Sequence, residues 1–110
     1  MNKLFELFNK LGLPYFRQGT LSTDNYPESF FTFDNFSTNF QAYYDNSNWK
    51  EIVKVQVGFY TNNASLIYSK MDEFLAEAKA VGFVLKGGAY DVPSGKDNYF
   101  GRSVAIDIIQ

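Results

Sequence analysis

The sequence predicts an α+β fold, a single domain over residues 1–110 in which helices pack on a mainly antiparallel sheet of four strands. Three observations support this class. Apolar residues recur at helical spacing around Leu4 and again around Ile67. Apolar and polar residues alternate at period two around Val55, and three further segments are rich in β-branched or aromatic residues. The resulting order is helix, strand, strand, helix, strand, strand, which suits two hairpins joined by a crossing helix.

The first helix is predicted over the first dozen residues. Its apolar stripe follows i, i+3, i+4, i+7 spacing and consists of Leu4, Leu7, Phe8 and Leu11. Gly12 can supply the left-handed residue that ends a helix, and Pro14 prevents the helix from resuming. The segment from Gln18 to Pro27 is rich in Gly, Ser, Thr, Asp and Asn, so it is predicted to form a loop.

The next two strands are predicted from aromatic content and from alternation. Ser29 to Asn35 is expected to be a strand, with Phe31 and Phe33 on one face and Phe30, Thr32 and Asp34 on the other. Phe36 to Asn48 is dense in Asn, Ser, Thr and Asp yet keeps aromatic residues, which predicts an ordered loop. Lys50 to Tyr60 is the clearest strand, with one apolar face formed by Val53, Val55, Val57 and Phe59.

The second helix is predicted after Asn63, whose side-chain oxygen can cap it, and it should end at Gly82. Its apolar stripe consists of Ile67, Met71, Phe74, Leu75 and Ala78. Because both stripes need an apolar cover, we expect Phe74 and Leu75 to lie against the valine face of the preceding strand.

The remaining segments predict a second hairpin. Phe83 to Asp91 is expected to be a strand that Gly87 and Gly88 interrupt with a bulge or a sharp bend. Pro93 to Arg102 is expected to be a turn-rich connection. Ser103 to Ile109 should be the last strand, with one apolar face formed by Val104, Ile106 and Ile108.

Composition argues against several classes of function. The chain has no histidine and no cysteine, so it lacks the usual proton shuttle near neutral pH and the strongest side-chain nucleophile. Ten basic and twelve acidic residues give a net charge of −2, which indicates neither a nucleic-acid surface nor an anionic-membrane surface. No apolar run approaches the ~20 residues of a membrane span, and the first residues do not resemble a signal peptide. We therefore expect a soluble protein made in the cytoplasm, without a cofactor.

The candidate chemical sites are weak. Asp91, Asp97 and Asp107 could gather at a hairpin for acid–base work or to hold a divalent ion, but their spacing matches no metal loop. Gly87 and Gly88 precede a strand and no Gly-Lys-Ser/Thr follows, so they do not form a phosphate loop. Ser94 and Lys96 are more typical of a solvated hairpin tip than of a catalytic dyad. An enzyme that uses carboxylates is thus the third hypothesis, and no catalytic or metal-binding residue is predicted.

Aromatic side chains are the feature that most favours a function. Phe, Tyr and Trp make up 19% of the chain, and many of them fall in polar segments that offer little core. Exposed together, such side chains would form a protein-contact surface. The predicted contact residues are Phe36, Phe40, Tyr43, Tyr44, Trp49, Tyr99, Phe100 and Arg102. The alternative is a module that binds a small ligand or stacks single-stranded bases, although base stacking also needs a basic groove.

Several motifs resemble those of small phage and prophage proteins of Gram-positive bacteria that are encoded among head–tail genes. The resemblance covers nearly the whole chain and lies in Tyr26-Pro27-Glu28-Ser29-Phe30-Phe31-Thr32-Phe33, Tyr44-Asp45-Asn46, Val57-Gly58-Phe59-Tyr60-Thr61-Asn62, Gly82-Phe83, Gly88-Ala89-Tyr90-Asp91-Val92-Pro93-Ser94 and Gly101-Arg102. That group is associated with the tail terminator or tail-completion proteins of long-tailed bacteriophages. One departure is Asp34, which stands where the resemblance leads us to expect tryptophan.

The resemblance implies a small α+β subunit that forms a ring, commonly hexameric, on the head-proximal end of the tail tube. Such a ring stops growth of the tube and presents a surface to the head connector. The implied partners are further copies of the chain, the major tail protein and the connector, with no nucleic acid and no membrane. The implied location is the host cytoplasm during assembly and then the head–tail interface of the virion.

Overall fold

Two helices and five strands make up the fold in a computed structural model, which describes residues 2–18, 27–42, 49–94 and 97–109, without the side chains of 36–42 and 49–51. In chain order the elements are α1 (Asn2–Leu11), β1 (Tyr15–Arg17), β2 (Ser29–Ala42), β3 (Trp49–Thr61), α2 (Leu66–Ala80), β4 (Val84–Val92) and β5 (Phe100–Ile109). The predicted α+β class is confirmed. Neither helix is both long enough and apolar enough to cross a bilayer.

The sheet is mixed and has five strands in the order β1-β2-β3-β5-β4. The prediction of four antiparallel strands is therefore wrong by one strand, because β1 pairs parallel to β2. Its three residues, Tyr15–Arg17, are too few to show a period in the sequence. The two predicted hairpins are present as β2–β3 and β4–β5, and β5 inserts between β3 and β4.

Both helices cover the same face of the sheet. The buried core there joins Leu4, Leu7 and Phe8 of α1 and Ile67, Met71, Phe74 and Ala78 of α2 to Phe31, Phe33, Val53, Val55, Val57, Phe59, Phe83, Val104, Ile106 and Ile108. The ring centroid of Phe74 lies 5.8 Å from that of Phe8 and 5.5 Å from that of Phe31. The expected packing of α2 on the valine face is thus confirmed, with Leu75 only partly buried.

The helix ends follow local chemistry with one correction. Gly12 (φ 76°) and Gly82 (φ 91°) both take the left-handed conformation, as their positions predicted. The N-cap of α2 is Ser65 rather than Asn63. Asn63 instead folds the approach to the helix, since its Oδ1 accepts hydrogen bonds from Ser65 N (3.0 Å) and Ser65 Oγ (2.7 Å).

The β2–β3 hairpin is longer than its composition indicates. The loop predicted from Phe36 to Asn48 is wrong for residues 36–42, because β2 continues to Ala42 and pairs with β3 down to Trp49. A long partner strand evidently outweighs the weak strand propensity of Asn and Ser in this stretch. Residues 43–48 lie outside the described chain, as do residues 19–26 of the other predicted loop. Similarly, β5 already begins at Phe100, inside the segment expected to be a connection.

The bulge predicted at the glycine pair is confirmed. The register of β4 against β5 shifts between Lys86 and Tyr90, and Gly87 within that shift has φ 85°. Only glycine adopts such a conformation without strain. The bulge matters for the surface described next, because it sets which side chains of β4 face away from the helices.

Candidate functional site

The face of the sheet opposite the helices is not covered by any helix or strand in the described parts of the chain. The register of the strands places similar side chains of this face next to one another, so the face divides into three zones. An aromatic zone holds Phe16, Phe30, Tyr60 and Tyr99, a polar zone holds Thr32, Gln56, Ser103 and Tyr90, and a charged zone holds Lys54, Lys86 and Asp107. We call this surface the open face.

The aromatic zone is organised around Phe30, which is only 3% exposed although it lies on the open face. Its ring stacks on Tyr60 at 5.5 Å between centroids and meets Phe16 edge-on at 5.9 Å. Tyr99 lies 6.3 Å from the same ring and its hydroxyl donates to the carbonyl oxygen of Pro27 at 2.7 Å. Tyr99, a predicted contact residue, therefore fastens the β4–β5 connection to the start of β2.

The charged zone is internally paired. Asp107 is 7% exposed, and its two carboxylate oxygens lie 3.7 Å from Lys54 Nζ and 3.5 Å from Lys86 Nζ. A buried carboxylate needs such partners, because burying an unpaired charge is costly. The two lysines accordingly neutralise Asp107 rather than forming a cationic groove.

The three carboxylates considered as a chemical site do not come together. Asp91 lies on the helix side of the sheet, opposite Arg102, whereas Asp107 lies on the open face. Asp97 is exposed in the connection between β4 and β5. Within the described ranges, no group of three His, Cys, Asp or Glu side chains is placed to hold a metal ion.

Arg102, another predicted contact residue, makes contacts within its own chain. Its guanidinium donates to Asp91 Oδ1 at 2.7 Å and to the carbonyl oxygen of Ala89 at 3.0 Å. It also lies 4.8 Å from the ring centroid of Tyr68 on α2, in cation–π geometry. Arg102 thus ties the β4–β5 hairpin to the start of α2, and only 18% of its side chain is exposed.

Phe100, unlike Tyr99 and Arg102, is a predicted contact residue whose side chain is exposed. It is the first residue of β5, lies opposite Thr61 and leaves 46% of its surface exposed. Tyr68, on the neighbouring end of α2, is 55% exposed. These two aromatic residues provide apolar contact area at the end of the sheet where β3 finishes.

At the opposite end of β3, the hairpin extends past the rest of the sheet. β5 ends with Ile109 opposite Ile52, so residues 40–42 and 49–51 pair only with each other among the described strands. We call these two segments the ribbon. Phe40 occupies a position opposite Glu51, and Trp49 is opposite Ala42. Phe36 lies at the register shift of β2, before the ribbon begins. Tyr43 and Tyr44 follow the ribbon and lie outside the described residues.

The polar zone brings together residues of four strands, and none of them was predicted from the sequence to be a functional residue. One sequence feature could have indicated this zone. Thr32, Gln56 and Ser103 each alternate with the apolar residues of their strand, so they lie on the face away from the core. Gly58 in the middle of the most regular strand was a further signal, since an interior glycine marks a close approach.

The sequence matches no protein-family model, and the search of curated proteins finds no similar protein.

Proposed function

We propose that this protein is a non-enzymatic assembly protein of a long-tailed bacteriophage, a tail terminator or tail-completion factor. It caps the tail tube and joins it to the head connector. The observation that carries the proposal is the ribbon, which extends beyond β5 and holds Phe40 and Trp49 in its sequence. The resemblance of the sequence motifs to head–tail region proteins supports the same function.

A projecting two-stranded ribbon favours assembly for an energetic reason. Two strands without a third are marginally stable in water, so contact with another protein stabilises them. Aromatic residues in such a segment add apolar area that only a partner can bury. The ribbon is therefore suited to be stabilised by a neighbouring subunit or a tail protein that lies against it.

The two ends of β3 suit the head-to-tail contacts of a ring. In a heterologous interface, one patch of a subunit meets a different patch of its neighbour, so each subunit needs two distinct surfaces. The ribbon lies at one end of β3, and the exposed rings of Phe100 and Tyr68 lie at the other. We assign the ribbon and this second patch as the two complementary surfaces.

The test is capping of tail tubes by the purified protein. Tail tubes of the cognate phage are incubated with the protein, and electron microscopy with a gold-labelled tag records where the label lies. We expect label at one end only, together with ring-shaped density. Replacing Tyr43, Tyr44 and Trp49 together by serine should weaken this recruitment, because interface energy is concentrated in buried Tyr and Trp.

A matched control keeps the test specific. Tyr90→Ser removes an exposed aromatic side chain from β4, outside both assigned surfaces, and should leave recruitment unchanged. The triple variant must also keep the circular dichroism spectrum and the urea midpoint of the parent protein. Label along the whole tube, or normal capping by a folded triple variant, would contradict the assignment of the ribbon.

A further inference from the structure

The polar zone of the open face contains a groove of about 210 Å³ that is independent of the ribbon. Its walls are formed by Gln18, Thr32, Gln56, Gly58, Tyr60, Tyr90, Val92 and Ser103. None of these side chains is charged. The groove is smaller than the roughly 300–1,000 Å³ of pockets for drug-sized molecules, so it suits a ligand of about one ring.

Gly58 is part of the groove lining and lets two neighbouring side chains approach the strand closely. A Cβ atom at Gly58 would lie 2.7 Å from Thr32 Oγ1 and 3.0 Å from Tyr60 Cε2. Any other residue would therefore fill the floor between these two side chains. Glycine inside a strand often marks a close approach of other groups, and at Gly58 these groups are the side chains of Thr32 and Tyr60.

A hydrogen-bond network holds the far wall of the groove in place. Gln56 Nε2 donates to Tyr90 Oη at 2.9 Å and also donates to Ser103 Oγ, which in turn donates to the carbonyl oxygen of Val57 at 3.1 Å. One amide group thus links β3, β5 and β4. Because these side chains already hold one another, a ligand would meet polar groups whose positions are set before it binds.

Unused hydrogen-bonding capacity remains at the groove. Tyr90 Oη accepts from Gln56, which leaves its own proton available to a ligand. Both amide protons of Gln56 are used, which leaves its Oε1 as an acceptor. The hydroxyl of Thr32, a residue that is 7% exposed, has no hydrogen-bond partner among the described residues. One donor, one acceptor and one group that can do either therefore belong to residues that line the groove.

We propose that this groove binds an uncharged, hydroxyl-rich ligand of the size of one sugar ring. An apolar ligand would leave the Thr32 hydroxyl and the Gln56 oxygen unpaired, which costs affinity. An ionic ligand would find no countercharge in the groove lining, because none of the lining side chains is charged. The ring of Tyr90, which is exposed, supplies an aromatic flank against which the less polar face of a sugar can lie.

The test is a nuclear magnetic resonance titration with N-acetylglucosamine and with methyl glucoside, two uncharged sugars. We expect saturable shifts of the backbone amides of Gly58 and Ser103 and of the side-chain amide of Gln56. Thr32→Val, which keeps the shape and removes the hydroxyl, should weaken binding about 2- to 10-fold. Tyr90→Phe should weaken it to a similar extent. Tyr68→Phe removes an exposed phenol on the other side of the sheet and should change nothing.

Three outcomes overturn the proposal. The first is the absence of saturable shifts with both sugars. The second is binding that neither Thr32→Val nor Tyr90→Phe weakens although both variants keep well-dispersed spectra. The third is tighter binding of glucose 6-phosphate than of methyl glucoside, which would identify an anion site. None of these results depends on tail tubes, so the groove and the capping function fail or succeed separately.

Discussion

The ring of Tyr60 lies directly against Gly101, its cross-strand partner in β5. A Cβ atom at Gly101 would be 2.7 Å from Tyr60 Cε1 and 2.9 Å from the carbonyl oxygen of Val92. The same ring borders Gly58 on its own strand, where an added Cβ would lie 3.0 Å from Tyr60 Cε2. An aromatic ring lying over strand glycines replaces the packing that the missing side chains would give.

Gly101→Ala should therefore destabilise the protein by about 1–3 kcal/mol, the range expected when an atom is forced into a filled space. The tyrosine ring can rotate away, but the carbonyl oxygen of Val92 belongs to the paired backbone of β4 and cannot. Urea denaturation followed by tryptophan fluorescence measures the change. An unchanged midpoint would mean that β4 shifts away from β5 at this position without cost.

The two glycines of the β4 bulge should respond differently to alanine. Gly87 has φ 85°, so Gly87→Ala places a Cβ in a strained conformation and should cost about 1 kcal/mol or more. Gly88 has no positive φ, and a Cβ there would meet nothing within 4 Å. Gly88→Ala should be neutral or stabilising by up to about 1 kcal/mol. Equal losses for both variants in thermal melts would contradict the described bulge.

Phe74→Ala should lower the free energy of unfolding by about 3–5 kcal/mol, as is typical of a large aromatic residue removed from a packed core. Phe74 is fully buried and stacks with Phe8 and Phe31, so α1, α2 and β2 all lose a contact. Leu75→Ala is the matched comparison and should cost only about 1 kcal/mol, because Leu75 is partly buried. Losses in the reverse order would show that the stripe of α2 is rotated.

A double-mutant cycle can isolate the contact between Arg102 and Tyr68. We expect a coupling of about 0.5–1 kcal/mol between Arg102→Met and Tyr68→Leu, the usual strength of an exposed cation–π pair. Salt screens exposed charges. Raising the salt concentration should therefore weaken the ion pair between Arg102 and the exposed Asp91 more than it weakens the coupling between Arg102 and Tyr68. Zero coupling would indicate that Arg102 serves the hairpin alone.

Single-stranded DNA should not bind saturably to this protein at near-physiological salt. Counterion release requires basic residues along the phosphate backbone, yet Lys54 and Lys86 on the open face are paired with Asp107. Fluorescence anisotropy with a labelled oligothymidine measures this directly, and an oligonucleotide-binding OB-fold protein serves as the positive control. Tight binding that weakens steeply with salt would instead favour the nucleic-acid alternative.

Local pattern was enough to predict most elements of the fold. The stripe of Leu4, Leu7 and Phe8 and the alternation of Val53, Val55 and Val57 both identify buried faces, and all six side chains are buried. Gly12, Gly82 and the Gly87 bulge were predicted because few other residues tolerate their backbone conformations. These features depend on residues within one or two turns of each other, which a single sequence displays directly.

Features that depend on neighbours in space were missed or were predicted incorrectly. Strand β1 is too short to carry a period, and it exists because Tyr15 pairs beside Phe31 and packs under Phe5 and Phe8. The loop expected from Phe36 is a strand as far as Ala42, because β3 offers it a partner along that length. Tyr99 and Arg102 were predicted as contact residues from their types alone, and only the folded chain shows them engaged with Pro27 and Asp91.

The sequence by itself determined which residues of the predicted helices and strands face the core and which glycines end the helices. The tertiary structure decided which strands are neighbours, and hence that Gln56, Tyr90 and Ser103 share one hydrogen-bond network around Gly58. The physical reason is that periodicity encodes the side of the sheet on which a residue lies. It does not encode the register or the strand order that brings distant residues together.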